Sequence, residues 1–84
     1  MEFIHIRDGD YTCQQWFDKL NELERGSSNG EEVTVVRTDS GFATKLYENG
    51  KFIEDVAIHL HIAEAYDYVR CYLKRHPDIG FYIV

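Results

Sequence analysis

The sequence predicts the α+β fold class, as a two-layer sandwich with two helices on one face of a mostly antiparallel sheet. Three observations lead to this prediction. The pair Asn49-Gly50 stands between two β-rich segments and is the strongest short-range signal for a two-residue hairpin turn. Residues 13–23 and 61–76 each have apolar side chains at helical spacing. Two helices with one apolar stripe each can both cover the same sheet face.

The first predicted elements are a strand and a helix. Residues 2–7 alternate around Ile4 and Ile6, which indicates a strand. Thr12 and Gln15 have the spacing of a capping box, in which each side chain accepts a hydrogen bond from a backbone N–H. Gly26 is the predicted end of this helix. Its apolar stripe consists of Cys13, Trp16, Phe17, Leu20 and Leu23.

The middle of the chain predicts a three-stranded antiparallel meander. Residues 33–38 are β-rich, and residues 39–41 turn the chain into the hairpin. The two-residue turn fixes the register of the hairpin, with opposite charges and aromatic rings facing each other across the strands. The predicted pairs are Glu48–Lys51, Tyr47–Phe52, Leu46–Ile53 and Lys45–Glu54.

The last predicted elements are a helix from His61 to His76, which Pro77 stops, and a strand at residues 80–84. The resulting order, β-α-β-β-β-α-β, is similar to a ferredoxin-like fold with one additional strand. At 84 residues the chain has room for a single domain, 1–84. The apolar stripe of the second helix consists of Ile62, Ala65, Tyr66, Val69, Tyr72 and Leu73.

Charge and composition limit the class of partner. Nine basic against fifteen acidic residues give a net charge of -6, which disfavours nucleic-acid backbones and anionic membranes and favours a basic protein surface. The sequence has no pattern of a secretory signal and no apolar run near the roughly 20 residues of a membrane span. Cys13 and Cys71 lie on different predicted helices, where isolated thiols are typically buried apolar side chains. We therefore expect a reducing, cytoplasmic location, with one disulfide as the alternative.

His59 and His61 are the best candidates for metal ligands, because histidines two apart on a strand point the same way. A third ligand is missing, and polar surface at a strand-to-helix junction explains the pair more readily than a metal site. We predict no metal site and keep a small metal-binding module as an alternative. The residues that could complete a site only through the tertiary fold are Glu64, Cys71, His5 and His76.

No catalytic constellation is recognisable in the sequence. The serines lie in polar turns without a nucleophile elbow, and the glycines are scattered through turns without forming a phosphate-binding loop. Asp8 and Asp10 lack the remaining ligands of a calcium loop. We predict a non-enzymatic protein without a cofactor. The alternative is an accessory subunit whose active site is completed by another chain.

Tyr47 and Phe52 share a face with Lys45 and Glu54 in the predicted register. On an open sheet such rings stack on RNA bases, but a cross-strand aromatic pair also stabilises a hairpin by itself. The hairpin explanation is stronger, because the sequence has a single local basic cluster and lacks the Gly-aromatic signature of RNA-recognition motifs. An RNA-binding module is therefore only an alternative. The basic cluster is Arg70, Lys74, Arg75 and His76, and the predicted core face of the hairpin is Phe42, Leu46 and Ile53.

Acidic side chains and rigid aromatic rings together favour recognition of another protein, because a tyrosine ring offers a large contact area with a polar tip. A solvated acidic face is the simpler explanation for each residue taken singly. An exposed final strand, Phe81 to Val84, would also permit edge-to-edge pairing into a homodimer. The predicted contact residues are Glu31, Glu32, Tyr47, Phe52, Glu54, Asp55, Glu64, Asp67 and Tyr68.

Size, acidity, the absence of catalytic motifs and the hairpin Leu46-Tyr-Glu-Asn-Gly-Lys-Phe52 give the chain a resemblance to small inhibitors encoded by phages. These are the anti-CRISPR and related anti-defence proteins. The resemblance implies a protein of a prokaryotic or phage-infected cell. It also implies inhibition by occlusion, in which acidic side chains cover a basic surface of a nuclease, such as a CRISPR effector, that normally receives phosphate. Such contacts would be charge-assisted and sensitive to salt.

Overall fold

The computed structural model describes residues 11–83 and confirms the α+β class. The predicted strand at residues 2–7 and the turn at residues 8–10 lie outside the described residues. The sheet has the order β3-β2-β1-β4, in which β4 is parallel to β1 and the other neighbours are antiparallel. The elements are α1 (Cys13–Asn21), β1 (Glu31–Thr38), β2 (Gly41–Glu48), β3 (Lys51–His59), α2 (Ile62–Arg75) and β4 (Gly80–Phe81).

Helix α1 begins with the predicted capping box. The Thr12 hydroxyl accepts from the Gln15 N–H at 3.1 Å, and the Gln15 side-chain oxygen accepts from the Thr12 N–H at 2.8 Å. The predicted end at Gly26 is wrong, because the helix ends at Asn21. The N–H of Leu23 bonds to the carbonyl of Leu20 at 2.9 Å, an i to i−3 bond that tightens the last turn and terminates the helix.

The hairpin between β2 and β3 has the predicted turn but not the predicted register. Asn49 and Gly50 both have positive φ, 52° and 85°, as a type I′ turn requires. The two pairs next to the turn, Glu48–Lys51 and Tyr47–Phe52, form as predicted. The predicted pairs Leu46–Ile53 and Lys45–Glu54 are wrong, because the register shifts after Tyr47 and again after Lys45, so that Leu46 faces Glu54 and Lys45 faces Asp55.

The two register shifts are β-bulges in β3, and they change which side chains reach the core. Ile53, expected in the core, is 44% exposed. Val56, beside the second shift, packs against the core instead. Glu54 faces Leu46, a core residue, and therefore points to the helix side rather than joining Tyr47 on the outer face.

Both helices pack on the same face of the sheet, as predicted. Trp16 and Leu20 of α1 join four residues of α2 and the inward residues of β1 in one core. Tyr66 and Tyr72 of the predicted α2 stripe lie at the border of this core and are partly buried. Its buried members are Trp16, Leu20, Val33, Val35, Leu46, Ile62, Ala65, Val69, Leu73, Ile79 and Phe81.

The C-terminal strand is shorter than predicted, and beyond it the N–H of Ile83 donates to the Glu24 carboxylate at 3.1 Å instead of continuing the sheet. Strand β4 consists of Gly80–Phe81 and lies beside β1. On its other side the backbone of Arg25 exchanges two 3.0 Å hydrogen bonds with the backbone of Phe81. The sequence predicted that residues 81–84 form an exposed edge available for pairing with a second copy. At Phe81 this prediction is wrong, because Arg25 occupies the edge. The opposite outer strand of the described sheet is β3.

Candidate protein-binding surfaces

The predicted contact residues divide between the two faces of the sheet. Val33 points into the core, so alternation places Glu31 on the helix side and Glu32 on the outer side. We call Glu32, Tyr47, Phe52 and Asp55, with Lys45, the sheet-face cluster. We call Glu31, Glu54, Tyr68, Tyr72, His59 and His76 the helix-edge cluster. The two remaining predicted residues, Glu64 and Asp67, lie on the exposed side of α2.

The sheet-face cluster is held together by ring contacts and one ion pair. Tyr47 and Phe52 meet edge to face, with centroids 5.7 Å apart. The Lys45 ammonium lies 5.1 Å from the Phe52 centroid and 2.8 Å from an Asp55 oxygen. The charge of Asp55 is thus matched within the cluster, while Glu32 makes no ion pair with any residue between 11 and 83.

Tyr82 extends this surface and was not among the predicted contact residues. Burial raises its pKa, and the neighbouring Tyr47 phenol and Glu32 carboxylate raise it further. The three side chains therefore lie close together on the outer face. The sequence assigned Tyr82 only to the last strand, and its position beside Glu32 depends on the pairing of β4 with β1.

The helix-edge cluster contains a ladder of four rings. The His59 ring lies 5.3 Å from Tyr68, Tyr68 lies 5.8 Å from Tyr72 with the planes 29° apart, and Tyr72 lies 4.3 Å from His76. The last three rings follow an i, i+4, i+8 spacing, which puts them on one side of α2. That spacing is visible in the sequence, although only Tyr68 of the three was among the predicted contact residues.

Two carboxylates from different strands approach the middle of the ladder. The pKa of Tyr72 is raised, first by burial, then by Tyr68, Glu31 and Glu54, with Arg75 acting in the opposite direction. Glu31 begins β1, and Glu54 reaches the same side through the first bulge of β3. Neither Glu31 nor Glu54 makes an ion pair with a residue of the described range. Neither negative charge is therefore paired directly with a cation of that range.

A cleft of about 240 Å³ opens at the His76 end of the ladder. Two carboxylates of the cleft are oriented by neutral donors. The Asn29 side-chain N–H donates to Glu31 at 3.0 Å, and the Ser28 hydroxyl donates to Asp78 at 3.0 Å. The residues that line the cleft are Asn29, Glu31, Arg75, His76, Pro77, Asp78 and Ile79.

The other two predicted contact residues have roles within α2. The Glu64 carboxylate accepts a long 3.4 Å hydrogen bond from the His61 N–H at the start of the helix. Asp67 pairs with Arg70 at 3.3 Å, one turn away on the exposed surface. Both contacts support the helix, and the ion pair with Arg70 matches the charge of Asp67 locally.

The histidines and cysteines do not form a metal centre within the described range. No group of three or more metal-ligating side chains occurs among residues 11–83. His59 ends β3 and His61 is the N-cap of α2, so the pair lies at a strand-to-helix junction and not on one strand. Cys71 is exposed rather than buried, and the Cys13 sulfur accepts from the Arg37 guanidinium. Both cysteines, which lie in the described range, are free of disulfides.

Neither described helix has the length and apolar character needed to cross a membrane. No family model matches the chain, and neither the curated proteins nor the solved structures contain a match.

Proposed function

We propose that this chain is a non-enzymatic inhibitor of the anti-CRISPR or anti-defence type. It covers a basic surface that a nuclease or a similar host complex uses to hold nucleic acid. The observation that carries the proposal is the placement of Glu31 and Glu54. These carboxylates lie beside ordered aromatic rings and make no ion pair with any residue of the described range.

Charge complementarity supports a basic partner. A chain of net charge -6 is attracted to a surface that itself attracts phosphate, which increases the rate of encounter and disfavours acidic partners. Aromatic side chains then supply contact area. Tyr68 and Tyr72 of the helix-edge cluster are partly exposed, and their rings stack with centroids 5.8 Å apart. A rigid ring loses little conformational entropy on binding.

The inhibition follows from occupancy rather than from chemistry. Carboxylates that pair with the lysines and arginines of a phosphate-binding surface take the positions that nucleic acid needs. Binding of the inhibitor and binding of DNA or RNA to the partner would therefore be mutually exclusive. Both would weaken as salt is raised.

Competition with nucleic acid tests the proposal. The tagged chain is incubated with a prokaryotic lysate at low and high salt, and a captured stoichiometric partner is identified by mass spectrometry and purified. Its nucleic-acid binding is then measured against increasing inhibitor. We expect displacement of the nucleic acid at equimolar inhibitor. A partner that binds DNA or RNA and this chain at the same time would contradict occlusion.

Charge-reversal variants locate the interface on the captured partner. The double variant Glu31→Lys with Glu54→Lys changes two carboxylates that lie on the same side of the sheet. We expect it to weaken inhibition about tenfold or more, the effect of a loss of about 1.4 kcal/mol. The matched control is Asp39→Lys with Glu22→Lys, two exposed acids outside both clusters. Equal losses in both variants would show that total charge, and not this surface, determines binding.

A further inference from the structure

We propose that the cleft beside His76 binds the guanidinium group of an arginine side chain presented by the partner. The inference rests on the proposed function and specifies the chemistry of one contact. The cleft brings together two carboxylates, Glu31 and Asp78, and one end of the ring ladder. Its volume of about 240 Å³ is below the range of roughly 300–1,000 Å³ that suits whole small-molecule ligands. It is the size for a single side chain.

The carboxylates are oriented, and neither is paired directly with a cation of the described residues. One oxygen of Glu31 accepts from Asn29, and one oxygen of Asp78 accepts from Ser28. Both donors are neutral, so they fix each carboxylate without cancelling its charge. Neither acid makes an ion pair within residues 11–83. The remaining lone pairs suit a planar group with several N–H donors, which can bond to two carboxylates together.

The ring ladder distinguishes arginine from lysine. His76 lines the cleft and lies 4.3 Å from Tyr72, so an aromatic surface adjoins the two acids. A guanidinium is planar and weakly hydrated, and it stacks on aromatic faces while its edge bonds to carboxylates. A lysine ammonium is a strongly hydrated point charge and gains less from the same site. The combination of an aromatic ring and two acids in one cleft therefore favours arginine.

Arg75 also lines the cleft and provides an internal test. Its charge opposes an incoming guanidinium, and it makes no ion pair with Glu31 or Asp78. Removal of this charge should therefore strengthen arginine binding. If the cleft binds an anion through Arg75 and His76 instead, the same change should weaken binding. The sign of the effect separates the two ligand chemistries.

The experiment uses the full chain and three defined probes in low-salt buffer. Acetyl-Gly-Arg-Gly-amide, its lysine counterpart and inorganic phosphate are titrated separately, and the NMR signals of the Asn29 side chain and the His76 ring are followed. We expect saturable shifts with the arginine peptide and at least about threefold weaker binding of the lysine peptide. Glu31→Gln and, separately, Asp78→Asn should each weaken the arginine peptide about threefold. Arg75→Gln should strengthen it about twofold.

Three results would overturn the arginine site. These are equal binding of the two peptides, saturable binding of phosphate that Arg75→Gln abolishes, or no effect of either carboxylate variant. The amide spectrum of each variant shows that it is folded. If the peptide fails to bind while nucleic-acid competition by the full chain persists, the cleft assignment is wrong and the proposed function stands. If the peptide binds as expected but the captured partner keeps its nucleic acid, occlusion is wrong and the arginine site stands.

Discussion

Arg25 is the residue that connects the most distant parts of the described fold. Its guanidinium donates to the carbonyls of Leu73, His76 and Ile79 at 3.0, 2.6 and 2.8 Å. It therefore satisfies carbonyls at the end of α2, where the helix has no internal donors. Its backbone also pairs with Phe81. The side chain thus fixes the end of α2 and the following loop, and the backbone of the same residue holds β4.

Replacement of Arg25 should destabilise the protein substantially. We expect Arg25→Ala to lower the free energy of unfolding by about 2 kcal/mol, because hydrogen bonds from a charged donor are lost together. Urea unfolding measures this change. Arg70→Ala is the matched control, since Arg70 makes only an exposed pair with Asp67 and should change stability by less than about 0.5 kcal/mol. Similar losses in the two variants would contradict the role of Arg25.

Two glycines with positive φ should differ in their tolerance of alanine. A Cβ on Gly41, at a φ of 149°, would collide with the backbone carbonyl of His59, which cannot move without breaking the β2–β3 pairing. A Cβ on Gly50, at 85°, would meet open space. We expect Gly50→Ala to cost about 1–2 kcal/mol from the backbone conformation alone. Gly41→Ala should lower the free energy of unfolding clearly more than Gly50→Ala does. Chemical denaturation of both variants measures this, and an equal or smaller loss for Gly41→Ala would contradict the predicted collision.

Tyr72 should make stability depend on pH in the alkaline range. Its pKa is raised in the folded state from the ordinary value of 10.0, mainly by burial. The unfolded chain therefore ionises first, and the stabilising contribution is complete below pH 10 and is lost as the pH rises from there through the folded pKa. Unfolding free energies at about pH 9 and 11 should fall less steeply in Tyr72→Phe than in the native protein. An identical slope in both would contradict this.

At the level of elements, the hairpin shows how far local sequence determines structure. The turn and its two nearest pairs follow from Asn49-Gly50, because these residues adopt positive φ readily. The bulges that follow do not. Val56 packs into the core, and its carbonyl accepts a 3.5 Å hydrogen bond from the Tyr68 hydroxyl, a contact that exists only once α2 is in place. Tertiary packing therefore determines the register of the pairs that lie farther from the turn.

The candidate surfaces were predictable to a similar extent. The sequence placed Tyr47 and Phe52 together, and the i+4 spacing of Tyr68, Tyr72 and His76 could have revealed the ladder. The approach of Glu54 to Tyr72 was not predictable, because it needs the bulge. The hydrogen bonds of the Arg25 guanidinium were not predictable either, because its partners follow it by about 50 residues and are all backbone carbonyls.

A double-mutant cycle tests the register of the hairpin directly. Lys45 and Asp55 form an ion pair whose side chains are 25% and 39% exposed, so their coupling should be about 0.5 kcal/mol. The cycle of Lys45→Met with Asp55→Asn should give this value. The parallel cycle with Glu54→Gln should give almost none, because Glu54 faces Leu46. Coupling of Lys45 to Glu54 rather than to Asp55 would show that the hairpin has the register without bulges.

At the level of the whole molecule, the two clusters lie on opposite sides of a thin sandwich. The shortest principal extent is 18 Å, about twice the Debye length of roughly 8 Å at physiological salt. Charges on one face are therefore largely screened from a partner bound at the other. A single partner surface can contact one cluster closely and experience only a weak field from the second. Mutations that are adjacent in the chain can thus have separate effects.

Glu31 and Glu32 provide the sharpest comparison, because they are neighbours in the chain, carry the same charge and face opposite sides of the sheet. Glu31→Lys removes a cleft carboxylate and should weaken partner binding about tenfold or more. Glu32→Lys makes the same change of charge beside Tyr82 and should weaken it by less than about threefold. Titration of the captured partner by calorimetry measures both. The two variants have the same composition and net charge and differ only in which face of the sheet carries the lysine. A larger loss for Glu32→Lys would assign the interface to the sheet-face cluster. Equal losses would show that binding responds to overall charge alone.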